Sequence, residues 1–506
     1  MFAIPNLGYL AGSFTLLSVV GFVSYRLLAH PLSRYPGPFL AKLSDIYSFY
    51  HAARGTLHHA MSRDHHTHGS IVRYGPNKLL FSSTEALRDI YCNSNITKSD
   101  AYLVTLQGPG NYSLLNVIDK DRHRVKRKLI SRVISESSMR TFEPTMMEQI
   151  EVFLRKLLDN SSSQPPNPLN MTVQLKYLSL DIVALLAFGY RLNTQTDPEF
   201  RPAKDGLALS LWYNNMILQF PLIHKLGLAP ALQNIAGVRK TRDMYRNMVV
   251  KMINARLAED RGAKHDLYAH VADALNAEGP ESIKTSEIWA EALFFLPAGG
   301  DTISTCIAGM FFYLATNPGC YKQLSEEVRS SFTSGADIRS GQQLANCRYL
   351  RACINETLRM SPPVGSTLWR EAFPSTGPWV VEGHVIPEGT QVGVDIYHLH
   401  HNPEYFPDPF VFKPERWLVD AAEVKRMNEA FVPFSVGIRA CAGKAMAYLE
   451  ASLVMAKTLW YFDFESPETA ARGPETEFLL FDTVTSICNG PELVFHARGD
   501  FYRDLI

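Results

Sequence analysis

Ten consecutive residues near the C-terminal end of the chain carry most of the information about its fold: Phe434-Ser-Val-Gly437-Ile-Arg439-Ala-Cys441-Ala-Gly443. The stretch matches the pattern F-x-x-G-x-R-x-C-x-G at all five of its fixed positions. Apolar residues recur at helical spacing directly after it, which predicts a helix over residues 442–460. The free N–H groups and positive end of that helix favour a thiolate over a thiol at Cys441. The sequence therefore predicts an ionised cysteine in a tight loop at the start of a helix.

A second motif, Ala298-Gly-Gly-Asp301-Thr302, lies in the middle of the longest apolar segment, residues 287–316. Acidic residues in the middle of that segment would be costly in lipid, which favours a buried central helix over a second membrane span. A hydroxyl relay supported by a carboxylate is suited to proton delivery, so Asp301 and Thr302 form a candidate catalytic pair. Pro297, directly before the motif, removes one helical hydrogen bond and predicts a kink at this point.

A third motif is Glu356-Thr-Leu-Arg359, whose i, i+3 spacing places both charges on one face of a helix. Such a pair contributes little on an exposed helix, so the motif alone is a weak signal. It is followed by Arg416 in the stretch Lys413-Pro-Glu-Arg-Trp417, between the pair and the cysteine loop. The order and distance of these residues make the combination much more specific.

These motifs, in this order, resemble the cytochrome P-450 family over roughly residues 30 to 500. The resemblance implies a mainly α fold with a small β region, formed as a single large haem domain behind an N-terminal transmembrane helix. It implies haem b (iron protoporphyrin IX) as the cofactor, with the thiolate of Cys441 as the axial iron ligand. A lone cysteine is more often a small buried hydrophobe, but that alternative leaves the other matched positions unexplained.

The resemblance also implies roles for the residues around the cysteine. Phe434 would shield the sulfur from water. Gly437 and Gly443 would allow a tight turn and let the backbone approach the flat macrocycle without a colliding Cβ. Arg439 would bind a haem propionate as a fixed cation with several donors.

Further cofactor contacts and a structural network follow from the same resemblance. His123 and Arg127, four residues apart on one helix face, resemble a second propionate site, and Arg370 resembles another propionate contact on the first sheet. Glu356, Arg359 and Arg416 resemble a buried Glu-Arg-Arg network with a structural role.

The implied activity is that of a monooxygenase. Electrons from NADPH would arrive through a separate NADPH–cytochrome P-450 reductase, and the thiolate would favour O–O cleavage. The helix that carries His123 is strongly basic, and we expect it to bind an acidic reductase by electrostatic complementarity; its cations are Arg122, Arg124, Lys126, Lys128 and Arg132. The alternative is that these cations lie on an ordinary solvent-exposed helix face and bind no partner. Two other functions stay open: a reductase-independent haem-thiolate isomerase or dehydratase, and a non-catalytic haem-binding or sterol-carrying protein.

Charge and cysteine content narrow the class of protein. The chain contains 50 Lys and Arg residues and 50 Asp and Glu residues, so the summed charge does not attract nucleic acid. Its seven cysteines are odd in number, widely spread and without a C-x-x-C pair. This pattern argues against a disulfide framework or a zinc site and favours a reducing compartment.

The N-terminus predicts a membrane anchor. No charged residue occurs in Met1 to Tyr25, and Leu7 to Tyr25 is long and apolar enough to cross a bilayer. A cleaved secretory peptide is the competing interpretation, but the basic n-region is missing. Basic residues occur only after the span, so the positive-inside rule predicts a single-pass protein of the endoplasmic reticulum membrane with its catalytic domain facing the cytoplasm. The predicted division is an anchor over residues 1–28, a Pro-rich hinge over 29–40 and the catalytic haem domain over 41–506.

The substrate site is predicted by analogy with the family. We expect contributions from the loop Ala101–Val117, the segment Leu207–Leu232, Ala298, the segment from Val364 to Leu368, and Phe481–Cys488. These segments are predominantly apolar, which indicates a lipophilic substrate that partitions from the membrane. The opening His30-Pro-Leu-Ser-Arg-Tyr-Pro-Gly-Pro38 resembles fungal members that act on terpenoid, polyketide or alkaloid secondary metabolites.

Two further patterns complete the expectations. Short β-prone runs at Trp379-Val-Val, His384-Val-Ile and Gln391-Val-Gly-Val predict a small sheet after the Glu356 helix. Two histidine clusters, one within residues 58–68 and one within 398–401, have no zinc-binding pattern and are interpreted as surface segments.

Overall fold

The structure is a computed structural model that describes residues 7–106, 108, 110–134, 136–163, 165–235, 238–260, 263–264, 266–269, 284–373, 377–467 and 477–505. Helices dominate it, and strands form small sheets, so the predicted mainly α fold is confirmed. The first helices are α1 Leu7–Ser24, α2 Phe39–Leu43, α3 Ile46–Ala53, α4 Leu57–His68, α5 Thr84–Tyr91, α6 Lys120–Val133, α7 Glu136–Ser161 and α8 Met171–Phe188. They are followed by α9 Ala203–Gln219, α10 Leu222–Lys225, α11 Ala229–Ile235 and α12 Val238–Leu257.

The C-terminal half contains the helices that carry the sequence motifs. They are α13 Thr285–Leu296, α14 Thr302–Thr316, α15 Pro318–Ser331, α16 Gln342–Ala345, α17 Arg348–Met360, α18 Ile396–His400, α19 Ala421–Ala430 and α20 Lys444–Tyr461. The helix predicted at residue 442 begins two residues later, because Cys441, Ala442 and Gly443 form the turn that leads into α20.

The strands form one five-stranded sheet and three smaller ones. The large sheet has the order β1-β2-β8-β5-β3, with β1 Ile71–Gly75, β2 Lys78–Phe81, β3 Ile96–Lys98, β5 Arg370–Ala372 and β8 Gln391–Val394. β6 Trp379–Val381 pairs with β7 His384–Ile386, β10 Leu480–Phe481 pairs with β11 Ile487–Cys488, and β12 Glu492–Ala497 lies between β4 Leu169–Asn170 and β9 Phe462–Glu465. All three β-prone runs of the sequence are strands, as predicted.

The central helix is interrupted where the sequence predicts a kink. Between α13 and α14, the residues Pro297–Asp301 form one wide π-helical turn. A Cβ added to Gly299 would lie 2.7 Å from a methyl carbon of Val183, so the glycine lets α8 pack closely against this turn. About two thirds of the long apolar segment is buried inside the protein, as expected of a central helix rather than a membrane span.

The N-terminal helix differs from the other two apolar helices of span length because none of its apolar segment, Tyr9–Ala29, is buried. It is therefore a candidate membrane anchor. The chain after it is held against the rest of the described structure. Leu32 and Tyr35 are buried, and the buried guanidinium of Arg73 donates a 2.8 Å hydrogen bond to the carbonyl of Arg26.

The interpretation of the two histidine clusters as surface segments was wrong for half of their members, although His59 and His66 are exposed. His58, His65, His400 and His401 are all buried, because α4 packs against α18 and brings the clusters together. The ring of His65 lies 4.9 Å from that of His398. Among the described residues, no group of His, Cys, Asp or Glu has the geometry of a metal site. The histidines therefore form a packed interface between helices.

Buried histidines make the fold sensitive to acid. The imidazole of His400 accepts a 3.0 Å hydrogen bond at Nε2 from the backbone of Val432, and burial lowers its pKa to about 3. Below pH 6.5 the unfolded chain takes up a proton that the folded chain does not, so stability falls as the pH falls toward 3. For this residue alone the loss at pH 5 is about 2 kcal/mol.

We therefore predict that the apparent melting temperature falls between pH 7 and pH 5, and that His400→Gln reduces this dependence. Glutamine keeps an acceptor for the Val432 amide but cannot be protonated in this range. Circular dichroism melting curves at several pH values measure the slope. His66→Gln, which replaces an exposed histidine of the same interface, is the control. Equal slopes for His400→Gln and wild type would contradict the prediction.

Candidate active site

A cavity of about 360 Å³ lies between the central helix and the helix that follows the cysteine loop. Ala298, Gly299 and Thr302 form one wall, and Phe434 and Cys441 lie on another. Cys441 lies deep in the protein, and the accessible surface of its side chain faces this cavity. The structure thus brings the cysteine motif and the central-helix motif to one enclosed space.

The cysteine loop is a tight turn closed by backbone hydrogen bonds. The amide of Cys441 donates to the carbonyl of Phe434 at 2.8 Å, and the amide of Ser435 donates to the carbonyl of Val432 at 2.9 Å. Burial raises the pKa of the Cys441 thiol, and the backbone amide of Gly443 and the charge of Arg127 oppose that rise. The helix end thus acts in the predicted direction, but in the protein alone burial outweighs it.

The two glycines of the loop have different functions: Gly437 forms the tight turn, and Gly443 lies at the cavity. Gly437 has a positive φ of 76°, and an added Cβ would lie 2.0 Å from the backbone oxygen of Tyr91. It is therefore required by its turn and by the close approach of α5, and it is not part of the cavity wall. Gly443 does line the cavity, where a Cβ would lie 3.9 Å from the Sγ of Cys441.

Three cations line the same cavity: Lys98, Arg370 and Arg439. Lys98 and Arg370 are direct partners on the antiparallel strands β3 and β5, a position where like charges repel. The one carboxyl group in the cavity wall, that of Glu450, has its pKa raised to about 8 by burial and is therefore mostly neutral at pH 7. The wall thus carries an excess of positive charge that an anion would neutralise.

Arg439 has an unused donor at this cavity. Its terminal nitrogens donate to the carbonyls of Val117 at 2.7 Å and Ile118 at 2.8 Å, whereas its buried Nε has no partner among the described residues. Burial and the nearby charge of Arg370 lower the pKa of Arg439 to about 10. A buried donor without a partner costs free energy, so it indicates a missing acceptor. The carboxylates of haem propionates would fit both this donor and the surrounding cations.

His123 and Arg127, the predicted propionate site on α6, are not among the described residues that line the cavity. Arg127 donates to the carbonyl of Ala440 and so holds the cysteine loop rather than lining the cavity. His123 is buried, and burial together with the charges of Arg439 and Lys98 lowers its pKa to about 3. The pair therefore lies behind the cavity wall, beside the cation cluster.

The candidate catalytic pair is divided between two environments. Thr302 lines the cavity, and its hydroxyl donates to the carbonyl of Ala298 at 2.7 Å across the wide helical turn. The carboxyl group of the buried Asp301 lies instead beside Lys176 of α8, with Oδ1 3.4 Å from Nζ, and its Oδ2 has no partner. Burial raises the pKa of Asp301, and Lys176 lowers it, with the raising effect the larger.

Glu356 lies at the centre of a buried network behind the cysteine loop. It accepts hydrogen bonds from Arg359 at 2.8 and 3.0 Å and from Arg416 at 3.0 Å. Trp417 adds an indole N–H at 3.0 Å and Lys413 a backbone N–H at 3.0 Å, two contacts that the motif did not predict. Burial opposes ionisation of Glu356, but the two arginines outweigh it and lower its pKa.

Removal of this carboxylate should destabilise the protein strongly. We predict that Glu356→Ala lowers the free energy of unfolding by about 3–5 kcal/mol, because two buried guanidinium groups lose their partner. Urea unfolding followed by tryptophan fluorescence measures the effect. Glu326→Ala removes an exposed pair with Lys322 at 3.9 Å and should cost less than about 1 kcal/mol. Similar losses for the two variants would contradict a central role for the network.

The remaining cavity wall is formed by the segments predicted to meet the substrate. Ala298, Val364 and Leu368 all line it. The predicted loops and helices add polar as well as apolar side chains: Tyr102, Thr105, Ser113, Leu115 and Asn116; Leu211, Asn214, Asn215, Leu218 and Gln219; Ser366 and Thr367; and Thr483, Val484 and Thr485. Positions 107 and 109 of the first loop lie outside the described residues.

The basic face of α6 is smaller than predicted. Lys126 is buried, and its Nζ lies 2.9 Å from Glu291 and 3.2 Å from Glu287 of the central helix. It therefore ties α6 to α13 and cannot bind a partner. Arg124 is largely exposed, although it pairs with Asp121 on its own helix.

Three residues of the site were missed from sequence. No residue near Lys98 in the sequence indicates its role, because Arg370, its neighbour in the structure, is far away in the chain. Lys176 lies on an almost wholly buried helix, where a lone lysine could have indicated a buried carboxylate partner. Glu450 is an acidic residue within the apolar periodicity of α20. That position was the one feature of the sequence that could have indicated a role for it.

Comparisons with known proteins identify a family for this chain. A family model described as Cytochrome P450 matches residues 33–487. Cytochrome P450 monooxygenase poxM of Penicillium oxalicum is 36% identical over 96% of this chain and 94% of its own length. The monooxygenase AKT7 of Alternaria alternata is 34% identical over 94% of each chain. The monooxygenase apf7 of Gibberella fujikuroi is 32% identical over 94% of this chain and 95% of its own.

Proposed function

Because this chain belongs to the cytochrome P450 family, we propose that Cys441 is the cysteine whose thiolate ligates the haem iron. The protein is a haem-thiolate monooxygenase of the type that its fungal relatives represent. When bound, the haem supplies the chemistry that activates dioxygen, which thiolate ligation favours. The observation that carries the assignment is the position of Cys441, with its side chain exposed to a cavity that the central helix closes.

Cys441 is better suited to this role than the other cysteine of the cavity wall. Cys306 lies inside α14, where burial raises the pKa of its thiol to about 12. At Cys441 the amides of Gly443 and Lys444 and the charge of Arg127 oppose the effect of burial. An iron cation would supply the remaining stabilisation of the thiolate.

Lys98, Arg370 and Arg439 are proposed to bind the two haem propionates. Each lines the cavity, and together they leave it with an excess of positive charge. Phe434 is proposed to shield the sulfur, with its ring packed against Tyr448 at 5.3 Å between ring centres. Arg127 would act indirectly, because it holds the backbone of the cysteine loop.

Thr302 is proposed to deliver protons inside the cavity, with Asp301 as the acid behind it. The Thr302 hydroxyl lies at the cavity wall, and the carboxyl of Asp301, the residue directly before it, lies on the side of α8. Burial raises the pKa of Asp301 above its ordinary value, a shift in the direction that a proton donor requires. Rotation of that side chain away from Lys176 would bring the proton toward the hydroxyl.

We predict that Cys441→Ser abolishes the red-shifted Soret band of the reduced carbon monoxide complex, because that band requires a thiolate ligand. Absorption spectra of the purified holoprotein measure it. Cys306→Ser is the matched control, since it changes the other cysteine that faces the same cavity. Survival of the band in Cys441→Ser, or its loss in Cys306→Ser alone, would refute the assignment.

Thr302→Val should uncouple oxygen consumption from product formation. Without the hydroxyl, proton delivery in the cavity fails and reduced dioxygen is released as hydrogen peroxide. The amount of peroxide released per NADPH consumed should therefore rise several-fold. The assay uses NADPH, a reductase and a lipophilic compound that stimulates oxygen uptake by the wild type. Thr316→Val is the control, because Thr316 makes the same kind of backbone hydrogen bond in α14, to Phe312 at 2.9 Å, and does not line the cavity. Unchanged coupling in Thr302→Val would exclude the proposed relay.

Members of the family generally take electrons from a redox partner and act on lipophilic molecules. We propose that the partner is an NADPH–cytochrome P450 reductase, which would bind near the cysteine loop. Arg124 of α6 and Lys444 at the start of α20 are exposed cations suited to an acidic surface. Lys126, which is buried, is excluded from this surface.

We propose that residues 1–28 anchor the protein in the endoplasmic reticulum membrane, that residues 29–40 link the anchor to the domain, and that the domain, residues 41–506, faces the cytoplasm. The positions before Leu7 lie outside the described residues. Exposed apolar side chains near the anchor would rest on the bilayer; they are Phe39, Leu40, Ile46, Tyr50, Leu222, Leu226 and Leu228. α3 and the segment after α9 are in contact, with the rings of Phe49 and Phe220 6.1 Å apart. The two groups therefore form one surface.

The proposed reaction is the insertion of one oxygen atom from dioxygen into a lipophilic metabolite. Fungal secondary metabolism is the proposed context, supported by the fungal relatives and by the opening segment at residues 30–38. A reductase-independent isomerase or dehydratase would not need a proton relay, so Thr302 at the cavity wall favours the oxygenase. The same residue disfavours a non-catalytic haem-binding protein.

A further inference from the structure

The cavity wall contains four amide side chains, Asn116, Asn214, Asn215 and Gln219, and three of them are occupied by the protein itself. Asn116 accepts a hydrogen bond from the amide of Ser113 at 2.8 Å and donates to Thr105 at 3.1 Å. Such groups maintain the shape of the cavity.

The amides of Asn215 and Gln219 are also used within the protein. Asn215 donates to the carbonyl of Asp482 at 3.3 Å and accepts from Gln219 at 3.4 Å. Gln219 in turn accepts from the indole of Trp369 at 3.3 Å. Asn214 differs from these residues, since its side chain makes no hydrogen bond to any described part of the chain.

Asn214 occupies a position where an apolar residue would be expected. It lies on α9 between Leu211 and Leu218, which are three residues before and four residues after it and also line the cavity. These spacings place the three side chains on one helix face. An amide in the middle of this apolar stripe faces a mostly apolar space with two donors and one acceptor unused. Asn214 is only partly buried, so water can reach its amide, and a ligand that displaces this water has to replace its hydrogen bonds.

We propose that Asn214 binds an uncharged oxygen function of the substrate, a hydroxyl or carbonyl group, and thereby selects which carbon is oxidised. This inference rests on the proposed function, because it assumes that haem occupies the side of the cavity at Cys441. A neutral amide suits a neutral oxygen group, and the cations of the wall are assigned to the cofactor. The substrate would be held with its polar end at α9 and its apolar part toward Ala298 and Thr302.

The test uses alkylimidazoles, whose imidazole nitrogen ligates the haem iron and whose chain extends into the cavity. Two series are compared from hexyl to tetradecyl, one ending in a methyl group and the other in a hydroxyl group. Titration of the Soret shift gives the dissociation constant of each compound. For each chain length, the dissociation constant of the methyl compound is divided by that of the hydroxyl compound. We expect this ratio in the wild type to be about tenfold larger at one chain length than at the others, as for one hydrogen bond in a desolvated site.

Variants locate the contact. Asn214→Leu should remove the hydroxyl preference and keep or increase affinity for the methyl series. Asn214→Gln, which moves the amide outward by one methylene, should shift the preferred chain to a shorter length. Leu211→Ala, on the same helix face, should weaken both series equally and leave the preference unchanged.

The outcomes separate this inference from the function it rests on. If the wild type shows no Soret shift with any imidazole, there is no accessible haem iron, and both proposals fail. If the shift occurs but no chain length shows a hydroxyl preference, or if Asn214→Leu keeps it, the role of Asn214 is refuted while the haem-thiolate assignment stands. A lost preference in Asn214→Leu combined with a shifted optimum in Asn214→Gln supports the assignment.

Discussion

The geometry of the active site depends on one buried carboxylate, that of Glu356. Its two arginine partners connect it to other segments of the chain. Arg359 also donates to the carbonyls of His400 at 3.0 Å and Pro409 at 2.7 Å, and the ring of His400 accepts the amide of Val432. Val432 is the residue that begins the hydrogen bonds of the cysteine loop. A continuous series of charged and backbone hydrogen bonds thus runs from the middle of α17 to the loop that positions Cys441.

A second constraint is the excess of positive charge in the cavity. Lys98 and Arg370 face each other across two strands, and Arg439 retains a buried donor without a partner. The protein alone carries the cost of this arrangement, which a dianionic cofactor would relieve. The thiol of Cys441 has the same dependence, because burial opposes its ionisation until a cation is present. Cofactor binding and the stability of this region are therefore expected to be closely coupled.

The central helix connects these constraints to catalysis. The wide turn at Pro297–Asp301 places Thr302 at the cavity wall and directs Asp301 toward Lys176, so one distortion separates the hydroxyl from the acid. The glycine pair within this turn permits the close packing of α8. The same turn thus provides open space on one side of the helix and a buried ion pair on the other.

The sequence by itself determined the features that depend on local pattern. The spacing within residues 434–443, the Glu-x-x-Arg pair, the apolar periodicity of the helices and the uncharged N-terminal span are all short-range, and each was predicted. The kink at Pro297 was predicted as well, because proline removes a helical hydrogen bond whatever surrounds it. Family membership followed from the order of these motifs.

Only the tertiary structure decided which distant residues meet. Lys98 became part of the cavity through the register of β3 against β5, and Lys126 was removed from the surface by α13. Gly437 proved to be required by the backbone of Tyr91, and the histidine clusters were buried by the packing of α4 on α18. Asn214 differs from Asn215 and Gln219 on α9, because those two side chains are hydrogen-bonded to other segments. Such pairings arise from long-range packing, and a side chain's own sequence neighbours do not encode which remote group will satisfy it.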